Sequence, residues 1–295
     1  MKMLRLLIKT MRPRQWTKNI VVLAGIVFDR QLGNPTSVLK TLAAMIIFCL
    51  VSGITYIIND LADIEADRLH PTKKFRPLAS GALSRKFAIT AVVIIALISF
   101  PAALLLSPGF GIVCISYFLL MLAYSKWLKH IPLIDVMTIA AGFILRVVSG
   151  ILVLQIDFFS PWLLVVTTLL ALFLGFGKRR AELTLLEANA TSHRKVLDGY
   201  SIPLLDQLIT VVLSATLMTY SLYTFSAPVT PENHAMMLTI PFVLYGLFRY
   251  LYLVRINNHG GAPEEVLLSD HPTQIAIGLW GLAVVIILYF LQTTG

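Results

Sequence analysis

Apolar runs of about 20 residues recur along this 295-residue chain, each bounded by polar or turn-forming residues. A run of that length crosses the hydrocarbon of a bilayer as one helix. Nine spans are expected, at about 17–35, 38–58, 87–106, 109–127, 132–154, 161–177, 203–226, 235–256 and 272–292. The segments between them alternate in charge. One set carries the Lys and Arg residues, from Lys2 to Lys18, Arg68 to Lys86, Lys126 to Lys129, Lys178 to Lys195, and Arg255. The other set, "LSPGFG", "QIDFFSP" and "SAPVTPENHA", has none, and the first hairpin has Arg30 and Lys40. The positive-inside rule puts the N-terminus and the basic loops in the cytoplasm and, with an odd number of spans, the C-terminal "LQTTG" outside.

The first 16 residues follow a different pattern. At 100° per residue, Leu4, Leu7, Ile8 and Met11 share one face and Lys2, Arg5, Lys9 and Arg12 the other. That is an amphipathic helix lying on an anionic leaflet. It lacks the uninterrupted apolar core and cleavage site of a secretory signal. Residues 17–295 are expected to form a single polytopic domain, with cytoplasmic loops at about 59–86, 125–132 and 178–202.

Composition sharpens the picture. The chain is 57% hydrophobic and 13% charged, about half the usual charged share of a soluble domain. Lipid is therefore its solvent, and no nucleic-acid partner is expected. Cys49 and Cys114 sit inside separate apolar runs and read as small buried hydrophobes. The outer loops are short and nearly featureless, so the chemistry is expected on the cytoplasmic side.

Four polar constellations stand there. If the second span continues as a helix through Asp67, then Tyr56, Asp60, Asp63 and Asp67 fall within a wedge of about 60°, with Asn59 at its edge and Glu65 opposite. Carboxylates at i, i+3 and i+7 repel one another unless a cation sits among them, and oxygen ligands shared with phosphate are how Mg²⁺ is usually held. The pattern points to a Mg²⁺–diphosphate site at the membrane edge. Pro71 is expected to end the helix, so that Lys73, Lys74 and Arg76 form a basic loop beside the acids. Second comes "YSKWLKHIPLID", with Tyr124, Lys126, Lys129 and Asp135. Asp135, Thr138, Gly142, Arg146 and Ser149 then make one polar stripe up the fifth span, with Arg146 about 16 Å above Asp135. An arginine so deep needs a cavity or a partner; pairing with another helix's carboxylate and contact with substrate both remain open. Third is "GFGKRRAEL". Lys178 and Arg179 are placed to reach the cytoplasmic cavity, Lys178 and Glu182 form an i, i+4 pair, and Arg180 is an outward anchor. The fourth is Gln15, Lys18 and Asn19 at the entry to the first span, a weak signal alone.

These residues resemble the UbiA superfamily of intramembrane prenyltransferases. The likeness rests on N-D-x-x-D-x-x-x-D, here Asn59, Asp60, Asp63 and Asp67, and on Y-x-x-x-x-K, here Tyr124 and Lys129. It covers the whole chain and implies an all-α bundle of about nine transmembrane helices around a cavity open to the cytoplasm and lipid. One departure matters. The family's prenyltransferases usually carry a second aspartate-rich motif near the end of the sixth span, where this chain has the basic "GFGKRRAEL". One acid cluster with one basic cluster suits two phosphate-bearing substrates. The strings "RPRQWTKN", "NDLADIEADRLHPTKKFRPLASG" and "GKRRAE" are similar to one branch, which transfers 5-phosphoribose from phosphoribosyl diphosphate (PRPP) to a polyprenyl phosphate in making lipid-linked arabinose donors.

The resemblance implies Asp60, Asp63 and Asp67 holding Mg²⁺ on the PRPP diphosphate, with Asn59 and Tyr56 beside them. Lys73, Lys74 and Arg76 cover that diphosphate. Lys178 and Arg179 bind the 5-phosphate or the lipid phosphate, and Tyr124, Lys129, Asp135 and Arg146 line the cavity, near Gln15, Lys18 and Asn19. Membrane lipid is the surrounding partner, and a homo-oligomer is left open. The rival enzyme is a true prenyltransferase moving a polyprenyl group from its diphosphate to an aromatic acceptor such as 4-hydroxybenzoate. A transporter would need polar groups on both sides of a midplane pathway and an inverted repeat, and neither is visible.

Overall fold

The computed structural model describes residues 2–70, 72–156, 160–188, 195–227, 230–256 and 269–291. Pro71, part of the 178–202 loop and the C-terminal residues lie outside the described residues. The described chain is helical: α1 Lys2–Thr10, α2 Ala24–Phe28, α3 Pro35–Ala62, α4 Ile64–Leu69, α5 Arg85–Leu106, α6 Pro108–Lys126, α7 Ile134–Leu154, α8 Pro161–Ala188, α9 Ile202–Ser226, α10 Ile240–Arg255 and α11 His271–Phe290. Among the described residues eight segments are long and apolar enough to cross a membrane, namely α3, α5 to α9, α10 with the 3₁₀ turn before it, and α11. The first expected span is different. Pro13–Leu23 winds as a 3₁₀ segment and α2 adds one short α-helical stretch.

The starts of the spans follow local sequence. Asn34 caps α3, its side chain accepting from the Thr36 and Ser37 amides, with Pro35 at the first helical position. Ser84, Ser201 and Asp270 cap α5, α9 and α11 in the same way. Large apolar side chains such as Leu39, Leu97, Leu105, Val211 and Phe290 stay exposed, as surfaces solvated by hydrocarbon do.

The chain divides into two compact units. The first comprises residues 1–26, 32–128 and 145–156. Within it α3 packs on α5, α6 and the 3₁₀ segment, around Val22, Phe48, Val51, Phe110, Cys114 and Tyr117. Gly150, in the last turns of α7, lets the 3₁₀ segment lie against that helix: a Cβ there would stand 2.1 Å from the Val22 carbonyl oxygen. The apolar face of α1 is shared. Leu7 and Met11 are buried with Ile57, Ile64, Leu78 and Leu83, while Leu4 and Ile8 remain exposed. The second unit comprises residues 27–31, 129–144 and 157–295. In it α8 packs along α9 and α10 along α11, around Val136, Phe173, Phe176, Leu205, Ile209, Leu247 and Leu253.

Candidate functional site

In the first unit, α3 carries Tyr56, Asn59 and Asp60 on its last turns. The helix does not run unbroken to Asp67. Asp63 leaves helical geometry (φ −94°, ψ 8°) and α4 begins after it. The ladder still bridges the break, because the Asp63 amide donates to the Asn59 carbonyl at 3.0 Å and the Asp67 amide to the Asp63 carbonyl at 2.8 Å. Asp60 and Asp67 therefore meet on one cation despite the interruption. Asp60 and Asp67 are buried at 3% and 4% exposure, and Asp63 is half-buried and accepts from Asn59 Nδ2 at 3.1 Å.

Burial on this scale demands a cation. Arg76 supplies one, its Nη1 reaching Asp67 Oδ2 at 2.7 Å and Asp60 Oδ1 at 3.2 Å. In the expected basic loop Arg76 meets both buried acids, and Lys73 and Lys74 stand exposed. The second cation is Arg12, whose Nη2 lies 2.6 Å from Asp60 Oδ1 and whose guanidinium sits 4.9 Å from the centre of the Tyr56 ring. Placing Arg12 on the polar face of the interfacial helix is thus corrected. Pro13 disfavours helix at the preceding residue, α1 ends at Thr10, and Arg12 adopts a left-handed conformation (φ 56°) beyond it. Glu65, opposite, is exposed and tied to Arg85 and Arg68; the Arg85 hydrogen bond, then the Arg68 charge, hold its carboxyl below the usual range.

Among the described residues no three His, Cys, Asp or Glu side chains meet in a geometry that could hold a metal ion. The donor chemistry nonetheless fits Mg²⁺. Two carboxylates converge on one cationic nitrogen, and Mg²⁺ commonly uses one or two carboxylates together with substrate phosphates and water.

Deeper in the same unit Arg146 is 6% exposed. Its Nε donates to Asn19 Oδ1 at 2.8 Å and its Nη2 to the Tyr117 hydroxyl at 2.9 Å, and it lies over the Tyr117 and Phe48 rings. Asn19 in turn donates to Ser52 Oγ and Cys49 Sγ, both at 3.2 Å. The weakest of the sequence signals, Asn19, is therefore fully engaged, while Gln15 and Lys18 are half-buried on the same segment. Tyr124 lies half-buried near the end of α6.

In the second unit Asp135 and Arg179 are both buried, at 0% and 1%, and form an ion pair of 2.7 Å. Arg179 also pairs with Glu182, so Glu182 serves Arg179 one turn away rather than Lys178. The Tyr200 hydroxyl donates to Asp135 Oδ1 at 2.7 Å and accepts from the Leu133 amide at 2.6 Å. Burial, then the Asp135 carboxylate, push its ionisation well above the usual phenol range, so it stays a donor. Arg180 is not a free outward anchor. It meets Asp206 at 2.7 Å, which Arg255 also approaches at 3.4 Å. Lys178 and Lys129 are half-buried. Sequence reasoning gave Arg12 only a place on the lipid-facing helix and passed over Tyr117 and Tyr200; the Arg-Pro step at 12–13 was the one local sign available for any of them.

Comparison with known proteins agrees with this architecture. A model of the UbiA prenyltransferase family matches residues 19–269. A decaprenyl-phosphate phosphoribosyltransferase of Corynebacterium glutamicum is 34% identical, over 97% of this chain and 87% of that protein. The enzyme of the same name from Mycobacterium tuberculosis is 31% identical, over 92% of this chain and 91% of its own length. Among solved structures, a UbiA homolog from Archaeoglobus fulgidus bound to GPP and Mg²⁺ superposes with a TM-score of 0.69 at 16% identity, covering 96% of this chain and 99% of that one. A digeranylgeranylglyceryl phosphate synthase structure gives 0.68 at 17% identity, over 98% and 99%. The family model over residues 19–269 and the relatives' identity over nearly full length place this multi-pass membrane protein in the UbiA prenyltransferase family.

Proposed function

We propose that the protein transfers 5-phosphoribose from PRPP to a polyprenyl phosphate of decaprenyl type, releasing diphosphate, with its site on the cytoplasmic side. The observation that carries the reading is identity of 31–34% to phosphoribosyltransferases over more than nine-tenths of the chain. The basic Lys178–Arg180 run, where a second acid motif would suit a prenyl donor, supports it. A lipid-linked pentose for envelope synthesis is the fitting product.

Asp60 and Asp67, with Asp63 beside them, would hold Mg²⁺ together with substrate phosphate and water, and the ion when bound would neutralise the departing diphosphate. Arg76 and Arg12 already lie on the same carboxylates and are the guanidiniums nearest that diphosphate; Asn59 and Tyr56 orient Asp63 and Arg12. Lys73 and Lys74 are exposed on the same loop and cover the phosphates. Lys178 and Lys129 bind the remaining phosphate, with Tyr124 beside the same family motif. Asp135 braces Arg179, and Arg146 with Asn19 holds the first segment in place. A phosphate oxygen of the lipid attacks C1 of the ribose, a C–O bond forms there, and the C1–O bond to diphosphate breaks with its electrons leaving on the diphosphate. The nucleophile is already anionic, so no general base is needed; positioning and charge neutralisation supply the rate.

The test is purified protein with radiolabelled PRPP and polyprenyl phosphate, and in parallel with prenyl diphosphate and 4-hydroxybenzoate. Label is expected in a lipid product in the first incubation and none in the second. The reverse result establishes the prenyltransferase reading instead. Asp63→Asn is expected to lower turnover by about 100-fold or more; full activity with unchanged Mg²⁺ dependence would remove the metal assignment.

A further inference from the structure

We infer that Tyr200 is a positioning residue, which docks the turn carrying Lys129 onto the segment before α9. The inference rests on the reading of Lys129 as a phosphate ligand in the proposed reaction. Lys129 and His130 belong to a short 3₁₀ turn, Leu128–His130, from which residues 131–133 lead through Pro132 into α7. The stretch ends on Leu133 in a left-handed conformation (φ 67°), which a leucine adopts only when its surroundings impose it.

Three contacts impose it. The Leu133 amide donates to the Tyr200 hydroxyl at 2.6 Å. The same hydroxyl donates to Asp135 Oδ1 at 2.7 Å, so one oxygen clamps the turn at two points, two residues apart. Gly199 supplies the third: a Cβ there would stand 2.2 Å from Pro132 Cγ, so the absent side chain is the notch that Pro132 fills. Arg179 fixes the far oxygen of Asp135 at 2.7 Å and is itself held by Glu182. The carboxylate therefore cannot rotate away from Tyr200 without also giving up the buried Arg179 guanidinium, which would be left to Glu182 alone. Arg179 and Asp135 form the base and Tyr200 the clamp, and half-buried Lys129 lies four residues before the clamped Leu133.

The experiment compares wild type with Tyr200→Phe, full length in nanodiscs. Hydrogen exchange of residues 131–135 is expected to rise about 10-fold or more, with the α8 and α9 cores unchanged. KM for the phosphate-bearing substrates is expected to rise about 5–10-fold with kcat within about twofold. Lys129→Ala should cost less in the Tyr200→Phe background than in wild type, because the lysine is already misplaced. Gly199→Ala, which keeps the hydroxyl and fills the notch, should reproduce both the exchange and the KM change, and serves if Tyr200→Phe does not fold. Unchanged exchange overturns the docking, and raised exchange with unchanged kinetics overturns the positioning role. If wild type makes no phosphoribosyl lipid, the functional reading falls, while the exchange result still decides whether Tyr200 docks the turn.

Discussion

Arg12 and Tyr200 share a property that explains why neither stands out in the chain. Arg12 meets an acid 48 residues away and Tyr200 one 65 residues away, so nothing in their local pattern announces the contact. The three aspartates are the opposite case. Their i, i+3, i+7 spacing is a local periodicity, and the structure brings Asp60 and Asp67 onto Arg76 while Asp63 interrupts the helix and accepts from Asn59. Removing Arg12 leaves Asp60 with Arg76 as its neighbouring cation, at 3% exposure. Arg12→Ala is therefore expected to cost on the order of 1–3 kcal/mol, seen as a lower Tm in detergent. Arg12→Lys should recover part of it, since a lysine keeps the charge but loses the guanidinium plane over the Tyr56 ring. A Tm unchanged in Arg12→Ala would show the pair to be solvent-screened.

Among the elements, the spans from α3 onward follow from apolar run length and from caps that are local in sequence. The first expected span does not. Residues 13–23 are apolar and polar in a mixture that suits a membrane edge, but their winding as 3₁₀ depends on the bare face that Gly150 offers to Val22. Gly150→Ala is expected to destabilise by about 1–3 kcal/mol through that clash. Gly246→Ala and Gly278→Ala, where a Cβ meets nothing within 4 Å, should be neutral or stabilising by up to about 1 kcal/mol. Thermal unfolding of the three variants side by side separates packing from helix propensity. Equal loss in all three would show that close approach is not what Gly150 provides.

For the whole molecule, charge asymmetry between loops predicts an orientation. Lys74→Cys and Asn233→Cys place thiols on exposed residues of a basic loop and of a loop with no Lys or Arg, while native Cys49 and Cys114 are buried. In intact cells a membrane-impermeant maleimide is expected to label position 233 and to reach position 74 only after permeabilisation. Labelling in the reverse order would invert the topology and move the acid cluster to the other face.

The sequence by itself determined the membrane class, the spans from α3 onward and the acid motif. Each is a periodic or run-length property, read within about 20 residues. It also showed which loops are basic, because charge is countable without coordinates. Only the tertiary structure decided which cation neutralises which acid: Arg76 and Arg12 on Asp60, and Arg179 on Asp135. Only it separated half-buried Lys178 from buried Arg179 within one motif. The reason is physical. A carboxylate removed from water must find a cation or a donor within a few ångströms, and which one it finds depends on the packing of segments dozens of residues apart, not on the residues beside it.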